Sequence, residues 1–455
     1  MKATLQRISQ ALNTPCHPAG LAAFRILFGA LMTFAVVRFA ARGWIDELYI
    51  APEFHFTYLG FDWVRPWPGW GMYAHFAIMG LSAFTLTLGA FTRMSAAVFL
   101  VTFTYAELLD KTAYLNHYYL VSLLAFLLIF VPAQAIWSVD AYRARQQPAS
   151  VGRWSYILLC AQVGVVYVFA GLAKVDIDWL FHAEPLRTWL AAHGDLPIVG
   201  PYLAAPWTAY AMSWVGAIYD LTIVGWLLWR KSRRLAYVAA IAFHMTIWLL
   251  FPVGVFSWVM LVSTTLFFDP RWPRWPCQLI ARIGPGHGAL SALPTMLQPA
   301  RQISRKGITF ASVFVLVQVL VPLRFLLYPG NVNWTEEGFR FSWRVMLVEK
   351  TGQVEFTVLT DSPERRYTIF PRADLTPLQY KMMVTQPDMI HEYALHIAKR
   401  FRRQGHERVR IHAKAWAALN GRPSQRLVDP SVDLASQPRS LRPSQWIVHG
   451  MASEW

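Results

Sequence analysis

Long apolar runs recur along the first three quarters of the chain, and they constrain the fold more than any other feature. A hydrocarbon core about 30 Å thick needs about 20 apolar residues per helix. Only 15% of the residues are charged, against about a quarter in soluble proteins, and 55% are hydrophobic. We therefore predict an α-helical membrane bundle of about nine spans, at residues 20–41, 72–92, 94–109, 117–134, 154–173, 207–229, 235–252, 254–268 and 308–328.

The charges of the loops predict the orientation of this bundle. Basic loops such as 230–234 (RKSRR) alternate with loops of mixed charge such as 174–178 (KVDID). Because Lys and Arg are retained on the cytoplasmic side, we expect the N-terminus inside and the mixed loops outside. The same rule explains the formal charge of +16, and without a basic–aromatic platform we expect no nucleic-acid partner.

The pattern changes after Tyr328, so we predict a transmembrane domain at 1–328 and a second domain at 329–455. An odd number of spans puts the second domain outside the membrane. Its residues alternate like strands or repeat like helices, which predicts a small C-terminal α+β extracytoplasmic domain. We expect strands at 353–360, 365–370, 408–419 and 425–430, and a helix at 376–404.

The cysteines predict neither a disulfide framework nor a metal centre. Cys16, Cys160 and Cys277 form no CxxC pair. We therefore expect no zinc site and no structural disulfide.

Ionisable side chains inside spans are costly and usually have a partner or a function. Asp220 and His244 fall in the middle of predicted spans, and Arg25 falls near the start of the first. Asp220 and Arg25 could simply pair with each other as structural polar residues. His244 could be a hydrogen-bonded packing residue. Lys174, at the outer end of a span, could be a lysine that reaches the interface.

Another interpretation places Lys174 and His117 in one pocket, because both are expected at the outer ends of spans. An amine enclosed in an apolar pocket has a lowered pKa, since burial disfavours the charged form, and a neutral amine can act as a base. An imidazole beside it can hold or pass on a proton. The nearby Asp176 and Asp178 oppose this by favouring the ammonium form. Asn116 and His117 could also be ordinary interfacial caps.

An ordered set of segments resembles the vitamin K-dependent γ-glutamyl carboxylase family. The resemblance extends from about residue 16 to 446, and it includes a transmembrane domain of the HTTM type that a wider group of bacterial membrane proteins shares. It rests on LAAFRILFG (21–29), VRPWPGWGMY (64–73), LLDKTAYLNHYYL (108–120), WSVD (137–140), AGLAKVDIDW (170–179), VGVFSWVML (253–261), NWTEEGFRFSW (333–343) and DPSVDLA (429–435).

The resemblance implies a chemistry and assigns roles. Lys174 corresponds to the lysine that deprotonates vitamin K hydroquinone, the reduced cofactor. The anion then reacts with O2 to give a strong base, which removes the γ-proton of a substrate glutamate, and CO2 adds to the carbanion while vitamin K epoxide is released. His117 would assist by stabilising charge, with Asn116 beside it. We expect Tyr167 and His244 to line the quinone pocket.

The substrate side also follows from the resemblance. Segment 333–343 resembles the glutamate-binding stretch, so Trp334 and Trp343 are expected to shape the entrance for a glutamate-containing peptide or protein. This chain departs from the animal members in having Ala173 where they have a second lysine, and Arg344 where they have an acid. The disulfide that joins the two domains in those members has no cysteine here within 329–455.

We therefore expect a γ-glutamyl carboxylase and vitamin K epoxidase in a cell membrane, the inner membrane of a bacterium. Three alternatives stay open. The first is a quinone epoxidase or oxygenase that does not carboxylate. The second is a non-catalytic lipid- or quinone-binding membrane protein. The third is a transporter, which the outer position of most polar residues disfavours. The sequence gives no oligomeric state.

Overall fold

The computed structural model describes residues 2–145, 149–274, 302–361 and 364–450, so Cys277 lies outside the described residues. The described chain is a bundle of helices followed by a small sheet. The helices are α1 Lys2–Leu12, α2 Ala19–Ala41, α3 Gly71–Leu88, α4 Thr92–Leu109, α5 Asn116–Phe130, α6 Val139–Arg143, α7 Trp154–Ala173, α8 Ile177–Phe181, α9 Leu186–Ala191, α10 Gly200–Leu203, α11 Pro206–Leu228, α12 Arg233–Leu250, α13 Phe256–Thr264, α14 Arg305–Leu323, α15 Val332–Thr335, α16 Pro377–Met383 and α17 Pro387–Arg403.

Each of the nine apolar runs coincides with a helix of this bundle. Among the described residues, five helices are long and apolar enough to cross a membrane: α2, α3, α7, α11, and α14 with the turn that extends it to Leu327. Helices α5 and α13 are apolar but shorter. The mostly helical membrane domain is therefore confirmed, whereas nine spans stays a prediction.

Small residues let helices of the bundle approach each other at backbone distance. Gly29 of α2 faces Thr87 of α3, and Gly171 of α7 faces Leu221 of α11. A Cβ atom on Gly171 would lie 2.8 Å from the backbone nitrogen of Leu221, which is too close for any larger residue. Close approach through small residues is a common way for helices to pack in a membrane. The contact at Gly171 brings the outer end of α7 against the middle of α11.

The C-terminal region contains a four-stranded antiparallel sheet in the order β4-β3-β5-β6. Strand β3 (Lys350–Asp361) pairs with β4 (Glu364–Ile369) and with β5 (Val409–Leu419), which pairs with β6 (Gln425–Arg426). Its buried face packs against α17 around Phe356, Tyr393 and Ile411. The predicted α+β region is thus present, although the last predicted strand is only two residues long.

The single helix predicted at 376–404 is two helices, α16 and α17. Gln386 separates them with extended backbone angles of φ −120° and ψ 111°. The cause is Pro387, because a proline ring disfavours helical geometry in the residue before it. Pro387 itself suits the first position of α17, where no amide hydrogen is needed.

The N-terminal segment and the C-terminal sheet lie at opposite ends of the bundle. Residues Pro15–Cys16 pair with Val151–Gly152, in the basic loop that precedes α7. The sheet region instead contacts the loops at the other ends of α4 and α7, through Lys111 and Asp178. This is the arrangement expected if the two regions lie on different sides of a membrane.

Candidate functional site

The close contact between α7 and α11 pairs Lys174 with Asp220. Lys174 caps the C-terminal end of α7, three residues after Gly171, and Asp220 immediately precedes Leu221. The Lys174 Nζ atom lies 2.8 Å from Asp220 Oδ2 and 3.4 Å from the Ala170 carbonyl oxygen. Both side chains are buried, with 5% exposure each. The two groups therefore form an ion pair enclosed in the protein.

Arg25 does not pair with Asp220, which corrects one of the sequence-based alternatives. Its guanidinium donates instead to the carbonyl oxygen of Trp137 and packs so tightly against Gly89 that a Cβ atom there would overlap it. The physical reason is position along the helix, since Arg25 lies in the second turn of α2, beside the turn between α3 and α4. Arg25 is fully buried there and joins helices of the bundle.

A cavity of about 60 Å³ lies beside the Lys174–Asp220 pair. Its wall is largely apolar and is contributed by α7, α11, α12 and α13, with Phe243 and Phe256 among the aromatic residues. Met346, which precedes the sheet, belongs to the same wall. The ion pair thus faces a small apolar space rather than bulk water.

Tyr167 and His244 form a second polar pair in the wall of this cavity. Tyr167 Oη lies 2.9 Å from His244 Nε2 and 3.2 Å from Thr264 Oγ1. Both rings are buried, at 1% exposure, and no hydrogen-bond partner for His244 Nδ1 is present among the described residues. A buried imidazole nitrogen without a partner is costly, so this atom is suited to bind a polar group of a ligand.

The ring of Trp179 covers the Lys174 amine. The amine lies 5.2 Å from the ring centroid, within the range of a cation–π contact. The indole Nε1 donates to the Ser213 carbonyl oxygen at 2.8 Å, which fixes the ring against α11. Trp179 also lines the cavity, so it holds the amine in the wall and shields it from water.

His117 and Asn116 lie near this cavity but are not among the described residues that line it. The His117 ring packs 4.6 Å from the Tyr118 ring and 5.7 Å from Phe256, so Phe256 stands between His117 and the cavity. Asn116 donates to the Arg344 carbonyl oxygen at 3.1 Å. The histidine that shares the cavity wall with Lys174 is therefore His244 rather than His117.

Trp334 and Trp343 point inward rather than into an entrance. Trp334 is buried in the core of the sheet region and donates to the Val448 carbonyl oxygen at 2.7 Å. Trp343 is buried in the core of the bundle, where it stacks on Tyr119 at 5.0 Å. The segment between them, residues 335–341, does line a separate outer cleft of about 220 Å³.

Comparison with family models covers most of the chain. Residues 13–272 match the HTTM domain, and residues 304–452 match the lumenal domain of vitamin K-dependent gamma-carboxylase. The chain belongs to the vitamin K-dependent gamma-carboxylase family. The matches indicate vitamin K-dependent carboxylation in general and a membrane protein with an extracytoplasmic domain, and the family acts on glutamate-containing proteins. No solved structure matches the chain.

The residues of the cavity fit the reduced vitamin K that the carboxylase family uses. An apolar wall suits its flat ring system, while Lys174 and the unpartnered His244 Nδ1 suit its ring hydroxyl groups. At about 60 Å³ the cavity is small for a bicyclic ring, so side chains must move to admit one. Met212, Met260 and Met346 line it, and methionine adapts its shape easily.

Sequence reasoning missed the contacts that join the outer domain to the loops at 108–111 and 174–178. Asp178 pairs with Arg422 at 2.5 Å, and Lys111 pairs with Asp388 at 2.7 Å and Glu392 at 2.8 Å. A signal was available, because the loops at 108–111 and 174–178 have clustered charges. Their partners lie more than 200 residues away, which a local pattern does not reveal.

Proposed function

We propose that this protein carboxylates glutamate side chains at the expense of reduced vitamin K, with O2 and CO2 as co-substrates. The observation that carries the proposal is the Lys174 amine, which lies 2.8 Å from Asp220 in the wall of a largely apolar cavity. Vitamin K epoxide is the expected second product. The bound quinol supplies the reducing power from which, with O2, a base strong enough for a glutamate γ-carbon is made.

The ion pair gives Lys174 a route to the neutral form that a base needs. A single proton that moves across the 2.8 Å hydrogen bond to Asp220 converts ammonium and carboxylate into amine and carboxylic acid, without a change in net charge. Such a neutral pair is favoured by a dry, low-dielectric site, where separated charges are costly. The free amine then accepts a proton from a ring hydroxyl of the quinol.

The other polar residues of the cavity orient the quinol. His244 binds a ring oxygen through Nδ1, while Tyr167 holds the opposite ring nitrogen and thereby fixes the imidazole plane. Trp179, Phe243 and Phe256 exclude water from the reacting groups. Exclusion of water matters because a strong base would otherwise take its proton from solvent. His117 acts behind Phe256, where it stabilises charge from outside the first layer of contacts.

The outer cleft is the proposed entrance for the glutamate side chain. Its wall includes Arg324, Arg439 and Arg442 together with residues of segment 335–341, among them the carboxylates of Glu336 and Glu337. Cationic side chains along its wall complement a carboxylate substrate. Trp334 and Trp343 flank this segment and hold its two ends in the two cores, and that is the role we now propose for them.

We further infer that the N-terminus is cytoplasmic and the C-terminal domain lies outside, in the inner membrane of a bacterium. The pairing of Pro15–Cys16 with Val151–Gly152 supports this, because it brings the N-terminal segment beside the basic loop at 143–153. A protease added to spheroplasts, whose outer membrane has been opened, should cleave tags inserted in the C-terminal domain and leave an N-terminal tag intact.

The test uses the purified protein with reduced vitamin K, a glutamate-rich peptide and labelled bicarbonate. Label in the peptide together with epoxide supports the proposal. Epoxide without fixed label indicates a quinone epoxidase that does not carboxylate, and quinone binding without either product indicates a non-catalytic binder. Lys174→Ala should abolish both products, while Lys231→Ala, at an exposed lysine in a basic loop, should leave both unchanged.

A further inference from the structure

A buried cluster of residues from both domains lies next in sequence to two residues of the cavity wall, Trp179 and Met346. Asp178 receives two hydrogen bonds from the Arg422 guanidinium, at 2.7 Å and 2.5 Å, and one from Asn420 Nδ2 at 3.0 Å. All three side chains are buried, with 5%, 8% and 0% exposure respectively. Arg422 and Asn420 follow strand β5, whereas Asp178 lies in the membrane domain, so the cluster spans the two domains.

The cluster is connected to Lys174 through Trp179, which follows Asp178. Asp178 is followed directly by Trp179, whose ring lies over the Lys174 amine and lines the cavity. Short α8 begins at Ile177, so the backbone between the anchored carboxylate and the indole is fixed. A shift of Asp178 therefore moves the ring that covers the amine.

The cluster also contacts the segment that contributes Met346 to the cavity wall. Asn420 Nδ2 also donates to the Leu347 carbonyl oxygen at 3.1 Å, and Asn420 Oδ1 accepts from the Glu349 amide at 2.9 Å. Leu347 follows Met346, which lines the cavity. A single buried asparagine thus connects the segment after Lys174 with the segment that contributes Met346.

The geometry points to Arg422 and Asn420 as positioning residues of the outer domain that hold Trp179 and Met346 in place and so keep the Lys174 amine covered and oriented. Their action on the reaction rests on the proposed function, but the covering of Lys174 does not. A bidentate arginine–carboxylate pair fixes direction as well as distance, which suits this task. The outer domain is then a part of the quinol site, in addition to any role in binding protein substrates.

The first measurement reports covering of the amine without requiring activity. Reductive methylation of the full-length protein, followed by mass spectrometry, gives the labelling rate of Lys174 relative to exposed Lys231. In Arg422→Gln we expect the relative rate at Lys174 to rise at least about fivefold, because local opening exposes a group that the native state protects. Arg422→Lys keeps the charge but not the bidentate geometry and should give an intermediate rate.

The matched control is Arg410→Gln. Arg410 lies on β5 and pairs within the sheet with Asp361 at 3.1 Å, and both side chains are exposed. In Arg410→Gln, Lys174 should be methylated at the wild-type rate. An unchanged rate in folded Arg422→Gln overturns the proposal. If that variant does not accumulate, Arg422→Lys replaces it, and a wild-type rate there overturns the proposal equally.

The second measurement connects positioning with the reaction. In Arg422→Gln, kcat for epoxide formation should fall about 10- to 100-fold while KM for reduced vitamin K changes much less, because misplacement affects the reacting geometry more than apolar binding. A change in KM with kcat unaltered would contradict a positioning role for Arg422. Absence of epoxide in the wild type defeats the proposed function only, since the labelling rates still decide whether Arg422 covers Lys174.

Discussion

Lys174 and Lys111 are two buried lysines near the outer ends of helices, and their surroundings differ. Each is 5% exposed. Lys111 contacts two carboxylates, Asp388 and Glu392, and Asp388 is also bound by Arg340 at 2.9 Å. Lys174 contacts one carboxylate, Asp220, and stands beside an apolar cavity.

Equal burial thus accompanies two different roles, one structural and one chemical. A lysine with two anionic partners is held between them and joins two domains. A lysine with one anionic partner in a dry site can pass its proton to that partner, and free space beside it admits a ligand. Burial alone therefore identifies neither role, whereas the number of partners and the adjacent cavity separate them.

The sharpest test of this comparison replaces each lysine by methionine. Lys174→Met should lower the rate of epoxide formation about 10³-fold, within the range for removal of a general base. Asp220 left behind binds a proton and becomes neutral, so the protein should still fold. Lys111→Met should retain kcat within a few-fold per folded molecule. Equal loss of kcat in both variants would contradict the distinction.

The effects on stability should be the reverse of those on kcat, with Lys111→Met less stable than Lys174→Met. Lys111→Met removes the cation from a buried pair with Glu392, and breakage of such a pair costs about 3 kcal/mol. Thermal unfolding followed by tryptophan fluorescence should give a clear drop in Tm. The matched control is Lys381→Met, at an exposed position of α16, which should unfold like the wild type. A Tm drop in the control as large as that in Lys111→Met would refute the structural role.

A smaller effect is expected at the second polar pair of the cavity. Tyr167→Phe removes the hydroxyl that lies 2.9 Å from His244 and keeps the ring. Loss of one buried hydrogen bond of about 1 kcal/mol should lower kcat for epoxide formation about tenfold or less. Tyr210→Phe, on an outer turn of α11, is a suitable control. An unchanged kcat in Tyr167→Phe would show that His244 is oriented by other contacts.

The smallest expected effect is a dependence of stability on acid pH. Burial would raise the pKa of Asp388, but Arg340 and Lys111 outweigh it and hold that pKa below its ordinary value. The folded carboxylate then stays charged where the unfolded chain binds a proton, so its contribution is present above about pH 4 and lost as the pH falls further. Asp388 is 44% exposed, so water screens this contribution to less than about 1 kcal/mol per pH unit.

Comparison of wild type and Asp388→Asn in denaturant-induced unfolding between pH 6 and pH 3 checks this sign. The wild type should lose stability more steeply on the acid side. The asparagine variant should be less stable at pH 6 and should approach the wild type at pH 3. A wild type that gains stability relative to the variant on acidification would mean that the carboxylate is not held in its charged form.

The local patterns of the chain predicted much of this architecture. Each of the nine apolar runs coincides with a helix, and alternation predicted β3, β4 and β5. Hydropathy and periodicity are properties of neighbouring residues, so they can be read from the sequence. The helix break before Pro387 was not predicted, although proline is the residue type that causes such breaks. Lys174, Tyr167 and His244 were singled out in the sequence and meet at one cavity. His117 was expected in one pocket with Lys174, and the two tryptophans at the substrate entrance. In the structure His117 packs against Tyr118 and Phe256, and both tryptophans are buried, so their roles stay predictions.

Hydropathy and residue periodicity were enough to predict a membrane protein with an outer α+β domain, and they singled out a lysine at the end of a span. The partner of this lysine depends on how the helices pack, which the local pattern does not contain. From the sequence, Arg25 was the candidate partner for Asp220, and the close packing of Gly171 against Leu221 brings Lys174 to it instead. Hydropathy follows the chain, whereas an ion pair between residues 46 positions apart depends on how two helices pack.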